Sequence, residues 1–162
     1  MFRFLLFLTF LVTLHAQESS VSISLYEDAD SVLKRDSAYM MRQTFDAYDG
    51  KKKNFGFSSS TIWVYIQLIN HSDTQQEKAI VLPYPHLDFI HVYNYQDQRL
   101  KDSYLTGDRT SFTSRKTDSE KFILPVVLQA GESKEVLIQM YTEGALNIGI
   151  NVLDMHALCE RE

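Results

Sequence analysis

From Thr61 onward, apolar and polar residues alternate with a period of two in short runs that stop at turn-forming residues. A chain patterned this way buries its apolar side as antiparallel β-structure rather than as helices. In the clearest run Ile62, Val64, Ile66 and Leu68 alternate with Trp63, Tyr65, Gln67 and Ile69, and the run stops at Asn70-His71-Ser72-Asp73. Both of its faces are largely apolar or aromatic. That predicts a mid-sheet strand with one face on the core and the other beneath a covering loop or a ligand.

The remaining runs follow the same rule. A strand over 78–82 ends at Pro83-Tyr84-Pro85, whose prolines force a turn or a bulge. The next strand begins near Leu87, with Ile90 and Val92 on one side, Phe89, His91, Tyr93 and Tyr95 on the other, and a turn at Asp97-Gln98. A short strand over 99–105 leads into a polar stretch, 107–120, and then an apolar strand over 122–128, which Pro125 marks as an edge or a bulged strand. Ala130-Gly131-Glu132-Ser133 reads as a hairpin turn into a strand over 136–141. Gly144 reverses the chain into a last strand, where Leu146, Ile148, Ile150 and Val152 alternate with Asn147, Gly149 and Asn151. A further strand over 21–26 and one helix over 37–48, ended by Gly50, complete the reading.

The N-terminus has another character. One cation, Arg3, precedes an apolar run from Phe4 to Leu14 and the tripeptide Leu14-His15-Ala16, the three-part pattern of a secretory signal peptide cut after Ala16. The run is about half the roughly 20 residues a membrane span needs. A domain over 17–162 and a periplasmic or otherwise extracytoplasmic location are therefore expected, membrane-attached only if the chain continues past Glu162. The one cysteine, Cys159, forms no internal disulfide and lies too far along the chain for an N-terminal lipid anchor.

Removal of residues 1–16 leaves 15 cations against 21 acids, a net charge of -6. The only basic run, Lys51-Lys52-Lys53, reads as a solvated loop, so nucleic acid is not an expected partner. His71, His86, His91 and His156 have no metal-ligand spacing, and no nucleophile elbow, HExxH or phosphate-binding glycine loop is present. No cofactor and no catalytic site are expected.

Two groups of residues are candidates for binding. Trp63, Tyr65, His91, Tyr93 and Tyr95 place aromatic planes on two strands, and such planes suit sugar rings, whose hydroxyls bind amides and carboxylates. Core packing is the competing reading, and for Trp63, between Ile62 and Val64, it is the first. Asp108, Arg109 and Arg115 form a charged loop where Arg offers a bidentate fork to an anion, against a turn Asp and salt bridges that fix the loop. The expectation is that a ligand lies against Tyr65, Tyr93 and Tyr95 or against the adjoining charged loop, the two converging.

Four pieces in order carry a family resemblance: the segment 54–63, Asn-Phe-Gly-Phe-Ser-Ser-Ser-Thr-Ile-Trp; Tyr84-Pro85-His86-Leu87-Asp88; Thr106-Gly107-Asp108-Arg109; and Phe122-Ile123-Leu124-Pro125. Over 21–153 the chain resembles the second type of extracellular domain of bacterial seven-transmembrane receptors with diverse intracellular signalling modules. The resemblance implies an antiparallel jelly-roll β-sandwich like a carbohydrate-binding module, held outside the cytoplasmic membrane and followed by seven helices and an output module. Because the chain stops at Glu162, the reading allows a partial receptor, with its membrane portion in cis, or an exported stand-alone sensor. The implied function is sensing of a small extracellular ligand, possibly a carbohydrate in class. A secreted jelly-roll glycan hydrolase and a structural or protein-interaction domain are the alternatives.

Expressed in a bacterium, the protein is expected outside the cytoplasm with Gln17 at its N-terminus. N-terminal sequencing that finds Met1 on a cytoplasmic product would reject cleavage.

Overall fold

The computed structural model describes residues 18–117 and 119–159; the expected signal peptide and its cleavage point lie outside them. In chain order the elements are β1 (Ser19–Asp28), α1 (Arg35–Met40), a 3-10 turn (Arg42–Thr44), β2 (Asp46–Ala47), β3 (Lys53–Phe57), β4 (Thr61–Asn70), β5 (Gln76–Leu82), β6 (Phe89–Gln96) and β7 (Arg99–Thr106). A second 3-10 turn (Phe112–Ser114), β8 (Phe122–Leu128), β9 (Ser133–Tyr141), β10 (Ala145–Ile148), β11 (Asn151–Asp154) and α2 (Met155–Cys159) follow. No helix among the described residues is long and apolar enough to cross a membrane.

The strands stack as two layers. One is a six-stranded sheet ordered β2-β1-β4-β9-β6-β7; the other consists of β3 with β10 and of β11-β5-β8, and every pairing is antiparallel. From β3 onward the order β4-β9-β6-β7 faces β3-β10/β11-β5-β8, which is the order of a jelly roll built from two Greek keys. The alternation explains the layering. Ile62, Val64, Ile66 and Leu68 of β4, with Ile90 and Val92 of β6, form one buried cluster with Ile80 and Leu82 of β5 and Phe122, Leu124 and Leu128 of β8. β8 is an edge strand, as Pro125 requires.

Three local expectations are corrected. The turn at 130–133 joins β8 in one layer to β9 in the other, so it is a crossover rather than a hairpin. The last strand divides: β10 pairs with β3 and β11 with β5, the switch falling at Gly149-Ile150. The helix spans only Arg35–Met40, because Phe45 turns inward and 46–47 pair as a strand with Leu25 and Ser24 of β1. Sequence reading also passed over β3, treating 51–53 as a loop.

The registers define two ends of the sandwich. At one, here the tip, lie Asp28, Thr61, Phe89, Thr106 and Tyr141, with the loops 83–88, 107–121 and 142–144. At the other, the base, Ser19 pairs with Asn70, Ile69 with Ser133, and Asp154 with Lys78. Ser19 and Asp154 line one shallow depression there. Both ends of the described β-structure therefore sit at the base.

The β6–β7 hairpin turns through Asp97 (φ 51°) and Gln98 (φ 58°), the doubly left-handed geometry of a type I′ turn. Aspartate tolerates that region, whereas the side chain of Gln98 is strained in it. The double substitution Asp97→Asn, Gln98→Gly is expected to raise stability by about 1 kcal/mol in urea unfolding.

Candidate functional site

The six-stranded sheet turns a second, aromatic face away from the core. Three rows cross β4, β9 and β6: Trp63–Gln139–His91, Tyr65–Leu137–Tyr93 and Gln67–Glu135–Tyr95. This face is not open. The segment 33–45, which carries α1, returns across it as a strap, packing Ala38 and Phe45 against Trp63, Tyr65, Leu137, Tyr93 and Tyr95. The side chains expected to meet a ligand are consequently buried, Tyr65 at 6%, Tyr93 at 7% and Tyr95 at 5% exposure, and Trp63 is fully enclosed. Sequence reading found a helix and a sheet face needing cover without connecting the two.

Contacts between strap and sheet are specific. Tyr39 lies parallel on Tyr95, ring centres 3.8 Å apart and planes 3° from coincidence. The hydroxyls of Tyr39 and Tyr65 both donate to Glu135, Tyr65 at 2.6 Å. The Arg42 guanidinium sits 3.6 Å from Glu135 and 4.0 Å from the centre of the Tyr39 ring. Burial, then hydrogen bonding to Glu135, pushes the Tyr65 hydroxyl up to about 12 and raises that of Tyr39 in the same way. Burial lowers the pKa of His91, which stacks on Tyr93 at 4.8 Å. Two buried donors, Trp63 Nε1 and Arg42 Nε, have no hydrogen-bond partner among the described residues. Each such group costs about 1 to 3 kcal/mol. Nothing in the sequence pattern singles out Tyr39, Arg42 or Gln139; for Glu135 the signal is its place on the outward alternation of β9, one residue before the strand expected over 136–141.

The charged loop lies elsewhere. Ile90 pairs with Thr106 at the tip, whereas Tyr95 pairs with Leu100 beside the hairpin at the base. Five residues of strand, at about 3.3 Å each, put roughly 16 Å between them. The expected convergence of tyrosines and charged loop is therefore absent.

At the tip the loop forms a clasp. Asp108 and Arg109 donate their backbone N–H groups to the carbonyls of Leu87 and Asp88 at 2.8 and 3.2 Å. Arg109 also holds Glu143 at 2.6 Å and Asp88 at 3.5 Å. Asp88 Oδ2 accepts in turn from the Glu143 N–H at 2.7 Å and the Thr142 hydroxyl at 3.2 Å. Arg109 thus ties three loops together, the framework reading of the two considered. His86 stands 3.8 Å from Asp108. Arg115 donates to the carbonyls of Ser119 and Glu120 at 2.8 and 3.1 Å and lies over the ring of Phe122.

Beside the clasp is an open groove of about 620 Å³, lined by Pro85, His86, Phe112, Arg115, Ser119 and Glu120. Phe112 is 59% exposed, a flat apolar face among polar groups. A smaller cleft of about 290 Å³ opens at the base. Several of its polar groups already have partners, Asn94 with Asp102, Gln96 with Glu132 outside the cleft, and Lys134 with the Val127 carbonyl. Among the described residues no group of His, Cys, Asp and Glu side chains could hold a metal ion.

Residues 20–154 match the family model for the 7TMR-DISM extracellular 2 domain. The chain belongs to that family, and its place is extracytoplasmic. No curated protein matches its sequence. Among solved structures it is similar to a family GH115 4-O-methyl-α-glucuronidase with specificity for decorated arabinogalactans, at 16% identity and a TM-score of 0.31 over 65% of this chain and 16% of that one. It is similar also to the enzymatically active domain of bacteriophage CBA120 tailspike protein 4, at 7% identity and a TM-score of 0.29 over 86% of this chain and 20% of that one. A third likeness is to carbohydrate-binding modules of the β-sandwich superfamily, at 12% identity and a TM-score of 0.28 over 85% of this chain and 57% of that one.

The clasp depends on Gly107, whose φ is +138° and where an added Cβ would lie 2.2 Å from the Asp88 carbonyl oxygen. Gly107→Ala is expected to lower stability by about 3 kcal/mol, read from the urea midpoint at unchanged slope.

Proposed function

We propose that this domain is the ligand-sensing head of a bacterial membrane receptor, binding a small polar ligand at the tip, in the groove beside the clasp. The observation that carries the reading is the arrangement of the ends. Ser19 and Asp154 are both at the base, so a membrane portion joined in cis would lie there and the tip would face outward. Family membership supplies the receptor context. A signal peptide over 1–16 would deliver the domain across the membrane.

The groove suits such a ligand in size, within the roughly 300 to 1,000 Å³ of small-molecule sites. Phe112 offers a stacking face, while His86, Arg115 and Glu120 supply polar groups around it, a combination that fits a carbohydrate or a small organic acid. Binding without turnover is the function proposed. Asp108 and Arg109 position the loop, and Arg115 alone of the three lines the groove.

Calorimetry against a panel of oligosaccharides, organic acids and peptides tests this. For a ligand so found, Phe112→Ala and His86→Ala are each expected to weaken binding by about 1 to 3 kcal/mol at unchanged melting temperature. Arg109→Ala should instead lower stability. Affinity unchanged in both groove variants would place the site elsewhere, and release of cleaved sugar would make the protein a hydrolase.

A further inference from the structure

The strap is weakly built as secondary structure. Its helix has six residues, Lys34 provides no side-chain cap, and no cation stands in its last turn. A helix this short does not hold itself together in water. At its margins Met40 is 81% exposed and Val32 74%. Attachment rests chiefly on side chains: Ala38 and Phe45 in the buried cluster, and Tyr39 and Arg42 at Tyr95 and Glu135.

What Tyr39 does is particular. Its ring lies flat on Tyr95 and its hydroxyl donates to Glu135, which also accepts from Tyr65. Stacking on an aromatic plane while giving a hydroxyl to a carboxylate is how a flat, hydroxyl-bearing ring compound would bind this face. Beneath this cover the fully buried Trp63 Nε1 lacks a partner among the described residues, so the closed strap leaves hydrogen-bonding capacity of the sheet face unused.

We propose that Tyr39 is a tethered occupant of a second ligand site, and that the segment 33–45 is a strap which a flat ring compound carrying a hydroxyl group, of the phenol class, can displace from Tyr95 and Glu135. This surface is separate from the tip groove and stands or falls independently of it. The tether gives Tyr39 a high effective concentration, so a free ligand must compete with it, and binding shifts a closed and an open population.

Trp63, the only tryptophan in the chain, lies under the strap and reports its position. In the intact wild-type protein, native-state hydrogen exchange should show amides 36–45 opening while those of β4, β6 and β9 stay protected. Exchange of 36–45 only through the same global opening as β4 would overturn the proposal. In Tyr39→Ala, quenching of Trp63 by acrylamide should rise severalfold with unfolding still cooperative. Added p-cresol should then restore the shielding saturably, with far weaker binding to the wild type. A folded variant whose Trp63 stays shielded, or which p-cresol leaves unchanged, would overturn it equally. Should Tyr39→Ala fail to fold, the wild-type exchange pattern decides.

Discussion

β4 is buried on both faces. From Thr61 to Ile66 every residue is enclosed, and at its centre large side chains point both ways, Ile62, Val64 and Ile66 inward and Trp63 and Tyr65 outward. Such a strand cannot lie at an edge or carry a wet face without exposing apolar area worth about 25 cal/mol per Å². It therefore needs a neighbour on each side, which are β1 and β9, and a cover on each face. The opposite layer covers the inward face. For the outward face no strand remains, and the strap fills that place, so its position follows from the composition of β4.

The sheets are largely legible in the sequence because the period of two is a local signal, which β4, β6 and β9 carry within their own residues, while β5 and β8 show as short apolar runs between turns. What failed was information about partners. Leu146, Ile148, Ile150 and Val152 alternate without a break, yet the strand changes partner at Gly149-Ile150, a change set by where β3 and β5 end. β3 was hidden because three lysines outweigh Phe55, the residue that packs on the core. The helix was overextended since Phe45 and Tyr48 keep a helical spacing while meeting the fold from extended backbone. The site was less legible: whether an aromatic strand face meets ligand or protein depends on a segment some twenty residues away in sequence.

The residues on which the family resemblance rests gain a physical account from the clasp. Tyr84-Pro85-His86-Leu87-Asp88 and Thr106-Gly107-Asp108-Arg109 meet at the tip through Asp88, Arg109 and the backbone bonds across Gly107. Asp88 is buried, with the Thr142 hydroxyl, the Glu143 N–H and the Arg109 guanidinium at its carboxylate, so removing Arg109 would leave a buried charge without its ionic partner. These motifs therefore mark how the tip loops are fixed. In the proposed reading the ligand chemistry falls to His86, within the first of these motifs, and to Phe112, which the clasp holds in place with no ion pair of its own beyond the contact of His86 with Asp108.

Tip and base are separated by the length of β4, ten residues or roughly 34 Å. A close-packed sandwich bends little over that distance, and any coupling along it needs an element with two arrangements. The strap has the connections for one. It leaves β1 at the tip after Asp28, whose carboxylate holds the Leu33 N–H at 2.7 Å, and returns to β1 through the two pairs of β2, at Ser24 and Leu25. β1 then runs to Ser19 at the base, where it is paired on one side only by β4. Loss of the Tyr39 contacts would leave the strap joined to β1 by the Asp28–Leu33 hydrogen bond, the stacking of Phe45 on Tyr26 and the two pairs of β2, whereas β1 itself keeps ten pairs with β4. Displacement of the strap as proposed would thus leave the pairing of the sandwich intact, and among the described residues its routes to the base are the outer edge of β1 and the contacts with Tyr95 and Glu135.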